Sequence, residues 1–363
     1  MRELFRLKEG GKNNMPKKYS VQVPGKVMIA GEWFVLRGAP CIVTTVNRHV
    51  NATIFESEES SVIAKNLDQK TRFMFLDNVM HVENRTEQLE IALYTIGVVF
   101  EYLTEQSVDI EKQFTIEIDS SEFSVHNKKI GIGSSAAVVV AIIRVMFNFY
   151  GCYADNKIIF KLACFANMIA HDNLGSCFDI AASVYGKTLW YKQFDTIWFS
   201  NQLREDLKYS EMAEKEWPGL EIEPIDLPEE LKLLVGFVGK SADTFQLVKM
   251  VKPALYSDEG TKLCEEAREL MQHFRKACES NDTKQFLELI NQNSVLLQKL
   301  FELSGVELET PKLTMLIETA KSCGAAAKFS GAGGGDCGIA VCPDNAVAAC
   351  VRGTWQTHNI SVL

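Results

Sequence analysis

Hydrophobic and polar positions change period several times along the chain, and each change marks an element. Residues 19–30 (YSVQVPGKVMIA) alternate, then turn apolar around Pro24-Gly25-Lys26, which predicts two short strands joined by a turn. Residues 41–55 (CIVTTVNRHVNATIF) are rich in β-branched side chains and read as strand, and 61–82 as shorter strands with polar interruptions. Asn84-Arg85-Thr86-Glu87 has the form of a capping box, and Leu89, Ile91, Tyr94, Val98 and Tyr102 follow at helical spacing. Residues 114–118 alternate strictly as a half-buried strand, 134–149 form an apolar run suited to a buried helix, and a further helical pattern covers 155–170. A strand at 187–191 precedes a polar stretch, 192–225, with a turn at Trp217-Pro218-Gly219, and the domain boundary is placed there. Residues 231–238 read as a buried strand and 241–320 as three or four helices. Last come a strand at 325–329, a glycine loop at 330–335, a strand at 337–342, a helix near 343–352 and a final strand. Strands dominate early and helices late, so the class is α+β.

Composition narrows the function classes. The 363 residues suffice for two domains, and 47% hydrophobic with 23% charged residues describes a globular chain. A net charge of -9 argues against a nucleic-acid partner. An anionic substrate would need local basic residues working against that field. No apolar run reaches the length of a membrane span, so no membrane association is expected. The ten cysteines show no Cys-x-x-Cys pair, which predicts reduced thiols and a cytoplasmic location. Residues 1–18, polar and basic, read as a flexible tail rather than a signal peptide.

Chemistry concentrates in three places. Lys129-Ile130-Gly131-Ile132-Gly133-Ser134-Ser135-Ala136-Ala137 runs directly into the apolar helix. Its glycines allow close backbone approach, and the first helical turn offers unpaired N–H groups at the positive end of the dipole, an anion site suited to phosphate. The bland alternative is a turn capped by Ser134. A dinucleotide fingerprint also fits Gly131-x-Gly133-x-x-Ala136, but the polar residues 126–129 stand where a buried strand should be. The Gly-Lys-Ser/Thr ending of a P-loop is absent. Ser330-Gly331-Ala332-Gly333-Gly334-Gly335-Asp336 holds too many glycines for a simple hairpin. It implies close approach to a ligand or another loop, with Asp336 capping the loop's own N–H groups. Lys26 and Asp179 each lie among apolar residues, where an unpaired charge is costly unless it meets an anion or an ion-pair partner.

Taken together, Pro24-Gly25-Lys26…Gly31-Glu32, the 131–137 loop and the 330–335 loop resemble, in order and spacing, the three motifs of the GHMP kinase superfamily. The resemblance extends from about Ser20 to the C-terminus. Lys129, Ser176-Cys177-x-Asp179-Ile180-Ala181-x-Ser183-Val184-Tyr185, Trp217-Pro218-Gly219-Leu220-x-Ile222-x-Pro224 and Ser330-Gly-Ala-Gly-Gly-Gly-Asp-Cys-Gly338 are similar to the bacterial-type phosphomevalonate kinases. This implies a ribosomal-S5-like N-terminal domain over 19–225, a ferredoxin-like C-terminal domain over 226–363 and an active site in the cleft between them. It implies transfer of the γ-phosphoryl of ATP, with Mg2+, to phosphomevalonate, by a monomer or homodimer. Other enzymes of the superfamily, mevalonate kinase or diphosphomevalonate decarboxylase, are the alternatives.

The catalytic residues implied are Lys26 and Asp179. The ATP phosphates fall to Lys129, Gly131, Gly133, Ser134, Ser135 and Ala136, and the metal to Ser135. The acceptor falls to Lys26, Lys129, Ser176, Ser241, Ser330, Gly331, Ala332, Gly333 and Gly334. Two segments depart from pattern. Residues 167–170 lack the metal-binding Glu of mevalonate kinases, and Gly239-Lys240-Ser241-Ala242-Asp243-Thr244 replaces a Ser/Pro/Ala-rich run.

Overall fold

The computed structural model describes residues 17–77, 79–171, 175–204 and 208–363. The tail expected over residues 1–18 lies, up to residue 16, outside the described residues. The first half of the chain runs β1 (Lys18–Ala30), β2 (Cys41–Glu56), β3 (Ser61–Ala64), β4 (Gln69–Leu76), β5 (Val79–Val82), α1 (Glu87–Glu105), β6 (Phe114–Asp119), β7 (Ser124–Val125) and β8 (Lys128–Lys129). It continues through α2 (Ser134–Tyr150), α3 (Asn156–His171), α4 (Phe178–Tyr185), β9 (Leu189–Lys192), α5 (Thr196–Arg204), α6 (Tyr209–Glu214) and β10 (Glu221–Pro224). The second half follows as β11 (Lys232–Phe237), α7 (Thr244–Leu255), α8 (Asp258–Glu279), α9 (Thr283–Ser304), α10 (Pro311–Ser322), β12 (Ala326–Ser330), β13 (Cys337–Cys342), α11 (Asn345–Thr357) and β14 (Ser361–Val362).

Two sheets organise these elements. An eight-stranded sheet has the order β10-β9-β2-β6-β3-β4-β5, with β1 also paired to β2, and a four-stranded sheet has the order β12-β13-β11-β14. A small ribbon, β7-β8, stands apart. Helix α2 is apolar almost all round, because it lies between β1 and β2 on one side and α1 and α3 on the other. The class is α+β, as the patterning predicts.

Several local expectations are corrected. Residues 18–30 form one strand, not two: β1 pairs with β2 along its length, and Pro24-Gly25 is a register shift inside it. The capping box at Asn84 does not form; α1 starts at Glu87 with Thr86 in the cap position, and the Thr86 hydroxyl makes no cap bond. Ser134 does not cap α2 either, since the cap position is Gly133. The polar stretch 192–225 contains α5, α6 and β10, and β10 returns to the large sheet beside β9.

The cysteines are also not all reduced. Cys323, just past α10, is bonded to Cys350 on α11 (Cα–Cα 5.8 Å), while the eight others are free thiols. The pairing had no spacing signature because it joins two helices brought together by the β12-β13 hairpin. Among the described residues no helix is long and apolar enough to cross a membrane.

The two halves meet around the first motif. The Ser330 hydroxyl accepts from Met28 N (2.9 Å) and donates to Met28 O (2.8 Å). Lys328 on β12 forms a fully buried ion pair with Glu32, whose other oxygen accepts from Asn293 of α9 at 3.1 Å.

Candidate active site

A cavity of about 450 Å³ opens where β1, the start of α2, the start of α4, α7 and the β12–β13 loop converge. Its position follows from local chain chemistry. Lys26 N donates to Ile132 O (2.8 Å), so the bulged part of β1 holds the glycine loop directly. Gly25 permits that approach, because a Cβ there would sit 2.8 Å from Ile132 O. Gly133 enters α2 in the left-handed region (φ 83), and its missing side chain makes room for Lys26, whose Cε would lie 3.1 Å from a Cβ. The start of α2 is uncapped by any side chain, and neither the Ser134 nor the Ser135 hydroxyl has a protein partner among the described residues. Unpaired N–H groups, a helix dipole and two hydroxyls therefore face one space.

Lys26 is 8% exposed. Its Nζ donates to Gly131 O (3.3 Å) and lies 5.2 Å from the centre of the Phe178 ring. Asp179 sits in the first turn of α4, after Cys177 in the left-handed region (φ 58), and its Oδ1 accepts from Ile180 N at 3.0 Å. Asp179 Cβ lies 3.7 Å from where a Gly133 Cβ would be, so the glycine separates acid and base. Among the described residues no ion pair within 4.0 Å joins Lys26 to Asp179.

Asp336 is structural, but in a different way from that expected. It does not cap its own loop. Its Oδ1 accepts from Ala242 N (3.0 Å), its carboxyl takes the Ser241 hydroxyl, and its main-chain N–H donates to Lys240 O (2.7 Å). The same carboxyl packs against Gly131, where a Cβ would fall 2.2 Å from Asp336 Cγ. One residue thus fastens the 239–242 segment, the third motif and the second. Burial pushes the Asp336 carboxyl above its ordinary range, against the pull of Ala242 N–H, Lys26 and Ser241.

The structure brings Lys26, Lys129, Gly131, Gly133, Ser134, Ser135, Ser176, Asp179, Ser241, Ser330, Gly331 and Ala332 to the cavity wall. It leaves Ala136, Gly333 and Gly334 out of the lining. Ala136 is buried in the core. Gly333 and Gly334 are glycines because protein crowds them: Leu308 O would be 2.6 Å from a Cβ on the first, Leu247 Cδ1 2.8 Å from one on the second. Ser330 lines the cavity with its hydroxyl already engaged by Met28. Sequence reasoning missed Trp33, Asn167, His171, Phe178 and Phe245, all in the wall. Asn167 and His171 stand four apart on α3, a face-sharing polar pair at the end of a helix whose middle is largely apolar, and that spacing was the available signal. Among the described residues no cluster of three or more His, Cys, Asp or Glu side chains could hold a metal.

Comparison with known proteins bears on this geometry. Residues 93–187 match the GHMP kinases N terminal domain, and residues 274–359 match GHMP kinases C terminal. The phosphomevalonate kinase of Streptomyces sp. (strain CL190) is 30% identical over 354 residues, covering 93% of this chain and 94% of that protein. The chain is a GHMP kinase. As such it is a phosphotransferase, and the two-domain GHMP architecture is its fold. The crystal structure of the Lin0012 protein from Listeria innocua superposes with a TM-score of 0.89 at 27% identity, covering 96% of this GHMP kinase and 97% of that chain. Streptococcus pneumoniae phosphomevalonate kinase, solved in complex with phosphomevalonate and AMPPNP, has the same fold (TM-score 0.84, 24% identity, 95% and 98% covered).

Proposed function

We propose that this GHMP kinase transfers the γ-phosphoryl of ATP to phosphomevalonate, giving diphosphomevalonate and ADP. The observation that carries the reading is the meeting of Lys26, Asp179 and the uncapped α2 terminus in one cavity. Lys129, exposed beside the same loop, adds a second cation for an acceptor that is itself a phosphate. The relationship to the Streptomyces enzyme and the fold shared with the pneumococcal complex support it.

Phosphoryl transfer requires in-line positioning and stabilised charge more than covalent chemistry. In this reading the 131–135 loop and the α2 dipole hold the ATP phosphates. Lys26 neutralises charge on the transferring group. A phosphate monoester has its second pKa near ~6 and is largely dianionic at neutral pH, so the acceptor needs no general base. Asp179 then fixes the field around the acceptor rather than removing a proton. Magnesium at nucleotide sites keeps several waters and takes substrate phosphate oxygens beside few protein ligands, and a phosphate-loop serine hydroxyl can be one of them. The Ser135 hydroxyl fits that role and would hold the ion, which when bound neutralises phosphate charge. The two domains of the reading are 19–225 and 226–363, in keeping with β10 closing the large sheet at Pro224 and β11 opening the small one at Lys232.

The test is ADP release with mevalonate, phosphomevalonate, diphosphomevalonate and galactose in parallel. Turnover confined to phosphomevalonate is expected. Turnover of mevalonate alone, or carbon dioxide release from diphosphomevalonate, overturns the assignment.

A further inference from the structure

The β7-β8 ribbon is closed by His126 and Asn127, both in the left-handed region (φ 49 and 61) that tight two-residue turns use. Successive strand residues point to opposite sides. Lys129 lies in the cavity wall, and Lys128 donates from Nζ to Gly239 O (2.9 Å), in the second half of the chain. Gly239 begins the segment that enters the cavity wall at Ser241. It is left-handed (φ 78), and a Cβ there would lie 3.8 Å from Nζ of Lys312, in the first turn of α10. Lys240 follows it in sequence and is exposed, as are Lys128, Lys129 and Lys312. Lysines of the ribbon, of the 239–242 segment and of α10 thus gather at the rim of one cavity.

Nothing acidic offsets them. Among the described residues no carboxylate lies within 4.0 Å of any of these four ammonium groups. Asp243, the acid nearest in the same segment, caps α7 by accepting from Gln246 N at 3.1 Å. Asp336 is buried, with its carboxyl engaged by Ala242 N–H and the Ser241 hydroxyl. Lysines drawn together without a counter-charge repel one another unless an anion is present. In a chain of net charge -9 they form the local basic surface that an anionic substrate needs.

We propose that Lys128, Lys240 and Lys312 form an outer anion-capture site through which the phosphorylated acceptor enters the cavity. The inference rests on the function proposed above. The ligand class is an organic phosphate that also carries a carboxylate, with about three negative charges at neutral pH. It feels the rim more strongly than a nucleotide whose charge is partly neutralised by a bound cation. The three lysines do not touch the reacting atoms. They raise the local concentration of the ligand and speed its encounter, an action at long range that salt screens.

The test compares kcat/KM for phosphomevalonate at about 20 mM and about 500 mM ionic strength. Lys128→Gln/Lys312→Gln should lose roughly fivefold to twentyfold at the lower value and stay within about twofold of wild type at the higher, with kcat unchanged at both. Lys312→Gln alone, which removes a charge and no hydrogen bond seen among the described residues, should lose roughly twofold to fourfold at the lower value. Lys128→Arg/Lys312→Arg keeps both charges and should match wild type. A loss of equal size at both ionic strengths, or one that arginine does not rescue, marks a structural role and overturns the proposal. An equal or larger loss in kcat/KM for ATP gives the lysines to the nucleotide and overturns it as well. If wild type turns over phosphomevalonate and the glutamine double variant matches it at low ionic strength, the capture site alone fails. If wild type does not turn it over, the function proposed above fails, and this inference with it.

Discussion

Lys328→Met is the perturbation with the largest expected effect on stability. The Lys328 and Glu32 side chains are both 0% exposed, and they bond to each other across the two halves of the molecule. Lys328 also donates to Phe329 O at 2.9 Å, and burial holds its ammonium below the usual lysine range despite the opposing pull of Glu32. Methionine fills nearly the same volume, so packing is kept and only the charge is lost. Glu32 then retains a single neutral partner, Asn293 Nδ2 at 3.1 Å, in a site without solvent access. Leaving one member of a buried pair uncompensated costs about 3–5 kcal/mol. That is a fifth or more of a typical folding free energy of roughly 5–15 kcal/mol. Urea denaturation followed by tryptophan fluorescence reads the loss as a lower midpoint at unchanged slope. Lys328→Met/Glu32→Gln, which removes both charges and keeps an acceptor for Asn293, should recover most of it. A single variant within about 1 kcal/mol of wild type, or a double variant no more stable than the single, refutes the reasoning.

The remaining predictions concern the site. Lys26→Met should lower kcat about 10²–10³-fold with a smaller effect on KM, checked by coupled ADP assay; an unchanged kcat sinks the role given to Lys26. Asp179→Asn should lower kcat without abolishing it, because a dianionic acceptor needs no base; complete loss with phosphomevalonate points instead to proton removal. Gly131→Ala meets both strain at φ 75 and Asp336 Cγ at 2.2 Å, whereas Gly38→Ala, at φ 70 with nothing within 4 Å, meets strain alone. The first should therefore lose more melting temperature and more activity than the second, and equal losses count against the packing argument. Asp336 is raised by burial, so between its ordinary value and its folded value the folded state keeps a proton that the unfolded chain releases. Wild-type stability then falls as pH rises through that window. The melting temperature of Asp336→Asn relative to wild type should accordingly climb from about pH 3 toward neutrality, and a pH-independent difference would falsify the raised carboxyl.

What the sequence displayed depends on the range of the forces involved. Helix α2 was legible because burial on all sides requires an apolar run, and the run is visible in residues 134–149. Helices α7 to α10 were legible as three or four helical patterns because each buries one apolar face at helical spacing, and the hairpin β12-β13 because both its strands are buried apolar runs. The single strand β1 was not. Pro24-Gly25 carries the local chemistry of a turn, yet pairing with β2 on both sides of it absorbs the irregularity as a bulge. The capping box at residues 84–87 failed in the opposite way: its pattern is present, but the cap position falls on Thr86 and α1 starts at Glu87. Lys26, Asp179 and the two motif loops could be named from residue type. Trp33, Asn167 and His171 could not, since their membership depends on which elements the fold brings together.

The glycines of the third motif show why a motif alone does not assign a site. Four glycines between residues 331 and 335 suggest a ligand cradle, and Gly331 does face the cavity with open space around it. Gly333, Gly334 and Gly335 are instead packed on Leu308, Leu247 and Lys240. Most of that glycine content serves contact between loops, which places Asp336 where it can hold Ser241 and Gly131 together. Helix starts divide along the same line. Helices α7 to α11 each begin with a side chain accepting a backbone N–H, from Asp243, Ser257, Asp282, Thr310 and Asp344. Helices α2 and α4 begin instead with left-handed Gly133 and Cys177 and no such cap. A cap satisfies the donors that an anion would otherwise bind. Of the helix starts in the cavity wall, that of α2 is the one left without a side-chain acceptor, whereas at α4 Asp179 takes the N–H of Ile180 and at α7 Asp243 takes that of Gln246.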